Sequence, residues 1–191
     1  MQPGPHADLL DAGIAADGTA FRALLDGRPD DAREALREAA ALYRASWEAA
    51  PPRSYGRLVA HLKSAVLAGD GAGAAAWVDG ELDGACDSPT SCYALAVAAL
   101  VRGDDATAAR AAAGMAEGGD AFARAGAALA AVAAADAPAY RAAVIAIVRD
   151  FEARDAHLTG VPVADTAMLM EALAAPRGMA ARPASPVMPA I

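Results

Sequence analysis

Alanine constrains this chain more than any other feature. It fills about three positions in ten, where in an ordinary domain it is one of several common residues. Alanine loses no rotamers on entering a helix and buries no polar group, which makes it the strongest helix former. A chain this rich in it is predicted to be all-helical. Small side chains also let helix axes approach closely, which suits short helices stacked side by side. Against that background no catalytic, metal-binding or nucleotide-binding pattern stands out.

With 191 residues the chain is long enough for one domain with a continuous core. Hydrophobic residues make up 56%, yet aromatics only 5%, so the expected core is thin and held by a few large anchors. These are Phe21, Tyr43, Trp47, Tyr55, Trp77, Tyr93, Phe122, Tyr140 and Phe151. The net charge of −8 disfavours nucleic acid and anionic membranes and suits either plain solubility or a basic protein partner. Lys63 is the only lysine; every other basic side chain is arginine. The opening Met1-Gln2-Pro3-Gly4-Pro5-His6 has no basic segment followed by an apolar one, so no secretion signal is expected. Ala125 to Ala135, a low-charge stretch, is short of the roughly 20 residues that cross a bilayer. Cys86 and Cys92 are the only cysteines and are expected to be two free thiols in a cytoplasmic protein.

Breakers divide the chain. Pro51-Pro52, Gly69-Asp70-Gly71, Asp87-Ser88-Pro89, Gly103-Asp104, Gly118-Gly119-Asp120 and Asp136-Ala137-Pro138 each end one helix or open the next, and Thr159-Gly160-Val161-Pro162 reads as a helix end. The expected helices span 7–26 (interrupted near Gly18), 30–50, 54–68, 73–84, 90–102, 105–117, 120–135, 138–158 and 163–175. Residues 1–176 form the helical array, and the Pro-rich 177–191 is an extended tail, frayed or laid over the body. A degenerate repeat runs through Leu25–Ala32, Leu67–Ala74, Val101–Ala108 and, more weakly, Ala133–Tyr140. Its copies lie about 42, 34 and 32 residues apart, near the period of helix-turn-helix repeats. The predicted fold is therefore all-α: stacked antiparallel helical hairpins, a tetratricopeptide-like α-solenoid lacking that family's Trp-Leu-Gly-Tyr pattern.

Two constellations are candidate binding surfaces. Arg33, Arg37 and Arg44 share a face of the second helix with Trp47 at its border, and Arg and Trp are enriched in interface hot spots. Pairing with Glu34, Glu38 or a neighbouring helix is the structural alternative. Asp150, Arg154 and His157 fall on one edge of the 138–158 helix, beside the stripe Tyr140, Val144, Ile147, Val148, Phe151 and Leu158. They could grip a charged group, or form a solvated ion pair and a histidine favoured by the helix dipole. Asp155 falls on the stripe itself, as a buried acid holding the Thr159–Val161 loop or as a member of a frayed last turn.

Other signals are weak. His61 has no spaced partner for a metal and reads as a packed histidine. Cys92 is in a first helical turn, where the dipole lowers a thiol pKa, but five residues separate it from Cys86 and no base is adjacent. No phosphate-cradling glycine motif occurs. No cofactor, metal or catalytic residue is expected.

The last quarter of the chain, Phe151 to Leu158, then Val161 to Thr166, an apolar helix into Arg177-Gly178-Met179 and the Ser185–Pro189 tail, resembles the bacterial immunity proteins of family forty-nine. The likeness is one of layout. It implies an all-helical protein that binds and neutralises a cognate toxin, and an acidic protein meeting a basic toxin would associate quickly. The expected function is thus a non-enzymatic, cytoplasmic, bacterial protein-binding module, monomeric or homodimeric, with a protein or peptide partner. The alternative is a small-molecule enzyme or ligand-binding accessory protein with a pocket between helices.

Overall fold

The computed structural model describes residues 4–189. The expectation for Met1–Pro3 and the last two residues of the tail lie outside them. Nine α-helices follow one another: α1 (Pro5–Leu25), α2 (Pro29–Ala49), α3 (Gly56–Ala68), α4 (Gly71–Leu82), α5 (Pro89–Arg102), α6 (Asp105–Ala113), α7 (Asp120–Ala133), α8 (Ala137–Glu152) and α9 (Asp165–Ala174). Among the described residues there is no strand. No helix among the described residues is long and apolar enough to cross a membrane.

The punctuation works as its chemistry demands. Proline stands in the first turn of α1, α2, α5 and α8, where its missing N–H has no intrahelical partner to lose. Asp104 and Asp136 accept hydrogen bonds from the first-turn amides of Thr107 and Ala139. Ser88 and Ser91 form a reciprocal capping box at the start of α5. Gly69 and Gly103 close α3 and α5 in the left-handed region, at φ 89° and 77°.

Each helix from α1 to α8 packs on the next, and α3 also touches α5, which touches α7. The odd helices α3, α5 and α7 thus make a layer. Helix α9 lies against α3, α7 and α8, with Ala167, Met168, Leu169, Met170 and Ala174 wholly buried. From Tyr93 to Leu100 every side chain of α5 is buried, as its unbroken apolar run requires. Helix α9 thus covers part of the α3 and α7 surfaces.

Four expectations change. Helix α1 is continuous through Gly18. That glycine admits a neighbour: a Cβ there would stand 2.9 Å from the Thr159 carbonyl oxygen. Helix α6 ends at Ala113, short of 117, and a single 3-10 turn, Ala116–Gly118, follows; between them Gly114 sits against both cysteine sulfurs, where a Cβ would meet Cys92 Sγ at 2.7 Å. Helix α8 ends at Glu152, not 158, and Leu158 of the expected stripe is 79% exposed. No breaker stops it. Val161 and Val163, 3% and 2% exposed, are drawn into the cluster of Phe21, Leu24 and Leu36, and that burial outweighs the helical preference of the residues between. Finally, Cys86 and Cys92 are not free thiols. The turn into α5 brings their Cα atoms to 4.4 Å and they form a disulfide.

The tail is laid over the body as far as it is described. The Ala164 amide donates to the Val187 carbonyl at 2.8 Å, and Ser185 Oγ to Glu152 at 2.6 Å. Glu171 of α9 accepts from the amides of Ala181 and Arg182 at 3.0 and 2.7 Å and from the Tyr140 hydroxyl at 2.5 Å. Met179 and Val187 of the tail are themselves buried.

Candidate functional site

The two sequence constellations become two separate sites. The first is an open groove of about 400 Å³ where α2, α3 and α4 meet, with a floor of Ala40, Ala41, Ala65, Gly73 and Ala74 and walls of Arg37, Arg44, Asp70 and His61. Small residues set at helical spacing on three neighbouring helices leave this hollow. Arg33, Arg37 and Arg44 do lie on one face of α2, and each has an acidic partner: Asp30 at 2.5 Å, Asp70 at 2.7 Å and Glu48 at 3.1 Å. These pairs are exposed, so each contributes little to stability. The Arg44 guanidinium lies 4.5 Å from the centre of the Trp77 ring. Trp47 stacks on Tyr55 at 5.8 Å and donates its indole N–H to Glu81 at 2.8 Å.

His61 closes the groove from below. It is 7% exposed, and its Nδ1 is 2.8 Å from the Ala40 carbonyl. A carbonyl only accepts, so Nδ1 carries the proton and Nε2 of the neutral ring is an acceptor. Nε2 is buried without a partner. Burial lowers the imidazole pKa against the pull of the Ala40 hydrogen bond, so the ring is held neutral. Among the described residues no group of three or more His, Cys, Asp or Glu side chains is arranged to hold a metal ion.

The second site is a cleft of about 210 Å³ beside the end of α8, lined by Lys63, Phe151, Arg154, His157, Leu158, Thr159, Val163, Asp165 and Thr166. The early end of α8 decides its form. Asp150 remains on the helix and takes hydrogen bonds from Arg154 at 2.6 Å and from Arg124 of α7 at 2.6 Å. Arg154, now past the helix, lays its guanidinium 3.7 Å from the centre of the Phe151 ring. His157 packs near the same ring, its centre 6.0 Å from that of Phe151, with Nδ1 buried and unpartnered. Asp155 takes no part: it is exposed in the loop, because the helix that would have placed it on the apolar stripe has ended.

Behind the cleft lies a buried polar network. Asp17 of α1 is 2% exposed and accepts from the Tyr43 hydroxyl and from Ser64 Oγ, both at 2.8 Å. Burial pushes its carboxyl above the usual range, and nearby Lys63 and the two hydroxyls offset this only in part. Lys63 pairs with Asp165 at the start of α9. Burial lowers an ammonium's pKa, yet here Asp165 and Asp17 outweigh it and hold Lys63 above the lysine range. The Tyr93 phenol, also buried nearby, is pushed up to about 12.

Sequence reasoning placed Asp150, Arg154 and His157 together, and missed Asp17, Ser64, Arg124 and Asp165. One signal was present: Asp17 sits on the face of α1 shared by Gly13, Ala16, Ala20 and Phe21, an acid among apolar neighbours. Lys63 stood out only by being alone of its kind.

No family model, curated protein or solved structure matches this chain. Its function must be argued from these two sites.

Proposed function

We propose that this chain is a non-enzymatic protein-binding module, a tetratricopeptide-like stack of helical hairpins that receives a basic protein partner on the α2–α4 face, as an immunity protein receives its toxin. The observation that carries the reading is the open groove flanked by Arg44 over Trp77 and by Trp47 on Tyr55. Arg and Trp anchors beside a hollow are the usual make-up of an interface hot spot. The net charge of −8 would steer a basic partner toward the protein. The exposed pairs Arg37–Asp70 and Arg44–Glu48 can exchange their partners for groups of an incoming surface at little cost.

Two further observations favour this over a small-molecule enzyme. The most enclosed of the hollows described, among Leu24, Leu36, Leu67 and Met168, is only about 10 Å³, about one water's worth. The larger hollows are open to solvent. The surfaces of α3 and α7 beneath α9 are already covered by its buried methionines, which supports the α2–α4 face as the docking surface. A cytoplasmic setting belongs to the reduced chain; the bridged Cys86–Cys92 form belongs to an oxidising compartment.

The test is capture of a stoichiometric partner by the tagged chain, then titration calorimetry of the purified pair with Arg44→Ala and Trp77→Ala. Each substitution is expected to weaken binding about thirtyfold or more, the hot-spot range, with the helical circular dichroism unchanged. Raising the salt should slow association. A partner that binds both variants as well as the wild type refutes the reading, as does turnover of a substrate lost on Arg154→Ala.

A further inference from the structure

We propose that the cleft beside the end of α8 binds a carboxylate: the Lys63 ammonium and the Arg154 guanidinium take the acid group, and Phe151, Leu158 and Val163 take an apolar body attached to it. The site is distinct from the α2–α4 groove and does not depend on it.

Lys63 is the first argument. An ammonium has three N–H donors, and only one is used within the described chain, on Asp165. The side chain is 16% exposed, so water has little room to satisfy the rest. A pair that merely tied α3 to α9 could use arginine, which this chain writes at every other basic position. A compact point charge at this one place serves an acceptor that approaches closely.

The second argument is the donors that Arg154 keeps. Its ion pair is with Asp150, a carboxylate it shares with Arg124 of α7. Arg154 spends Nε and Nη2 on Asp150 and keeps Nη1. The guanidinium lies against the Phe151 ring, 3.7 Å from its centre, so its unused N–H donors are held at the cleft. His157 Nδ1, buried and unpartnered, adds a third donor when it carries the proton.

The third argument is shape. The cleft holds about 210 Å³, and its apolar wall suits a short alkyl or aryl group next to the acid. Two sources offer that chemistry: a free organic acid, and the C-terminal carboxylate of a peptide ending in an apolar residue.

The unique lysine makes the test direct, because a chain labelled with side-chain 15N-lysine gives one ammonium signal. Four probes are titrated: 4-methylpentanoate, its neutral isostere 4-methylpentanamide, and acetyl-Gly-Gly-Leu with a free or an amidated terminus. The expected result is a saturable shift of the Lys63 signal with a carboxylate probe and none with its amide. A response to 4-methylpentanoate identifies a free acid as ligand; a response only to the free-terminus peptide identifies a chain end. Arg154→Gln should weaken binding about tenfold, as expected for loss of one charge-assisted hydrogen bond, with the Lys63 signal still that of a folded chain. Equal shifts with acid and amide overturn the proposal, as does the lack of any saturable shift. Unchanged affinity in a folded Arg154→Gln variant overturns it too.

Discussion

Replacing Glu171 by alanine should loosen the tail and cost a measurable part of the stability. One carboxylate here accepts three hydrogen bonds: from the Tyr140 hydroxyl at 2.5 Å and from the amides of Ala181 and Arg182 at 3.0 and 2.7 Å. The losses are unequal. Tyr140 is 0% exposed, so its hydroxyl is left buried without an acceptor, a cost of about 2 kcal/mol. The two amides lie near the surface and recover water, so together they contribute about 1 kcal/mol. The sum, about 3 kcal/mol, lowers Tm by roughly 6–12 °C for a domain of this size. Tyr140→Phe is the control: it removes the hydroxyl, keeps both amide bonds, and should cost about 1 kcal/mol. In the double variant no orphaned hydroxyl remains, so the two effects should fall short of additive. Thermal unfolding by circular dichroism gives the stabilities, and hydrogen exchange at Ala181, Arg182 and Val187 places the effect. If Glu171→Ala shifts Tm by less than about 2 °C, or leaves exchange at those amides unchanged, the carboxylate is not what fixes the tail.

Three further outcomes follow from the buried groups and tight contacts. The Asp17 carboxyl binds its proton more tightly in the folded chain than at its ordinary 3.8. Its contribution is therefore full below that value and is lost as pH rises through the raised pKa; Asp17→Asn should remove this part of the slope in urea unfolding, and an unaltered slope would exclude the assignment. Reducing the Cys86–Cys92 bridge, which closes a short loop, should cost about 2 kcal/mol. An untreated chain that takes up two alkyl groups on iodoacetamide treatment would show the bridge absent. Gly18→Ala gains about 1 kcal/mol of helix propensity but sets a Cβ 2.9 Å from the Thr159 carbonyl oxygen, so a net loss of about 1–2 kcal/mol is expected; a variant more stable than the wild type would refute that contact.

Much of the fold was legible because its signals are local. Proline in first turns, Asp104 and Asp136 as caps, and Gly69 and Gly103 as helix ends act over three or four residues, and the helices stop and start beside them. The stripe from Tyr140 to Phe151 is buried as its spacing implied. The end of α8 was not legible. Nothing between Ala153 and Leu158 breaks a helix; the chain leaves it because Val161 and Val163 find burial against α1, far away in sequence. That exit also separated Asp155 from Asp150, Arg154 and His157, and opened the cleft.

By itself the sequence determined that the chain is helical, roughly where its helices lie, and which faces turn inward, since propensity, capping and periodicity belong to each segment alone. Only the tertiary structure decided the rest. It set α9 across the layer of odd helices, buried Asp17, joined Cys86 to Cys92, and brought the one lysine beside Arg154 and His157. Except for the two cysteines, six positions apart, those are meetings between residues distant in sequence, settled by how apolar surface is shared among helices, and no local pattern carries that information.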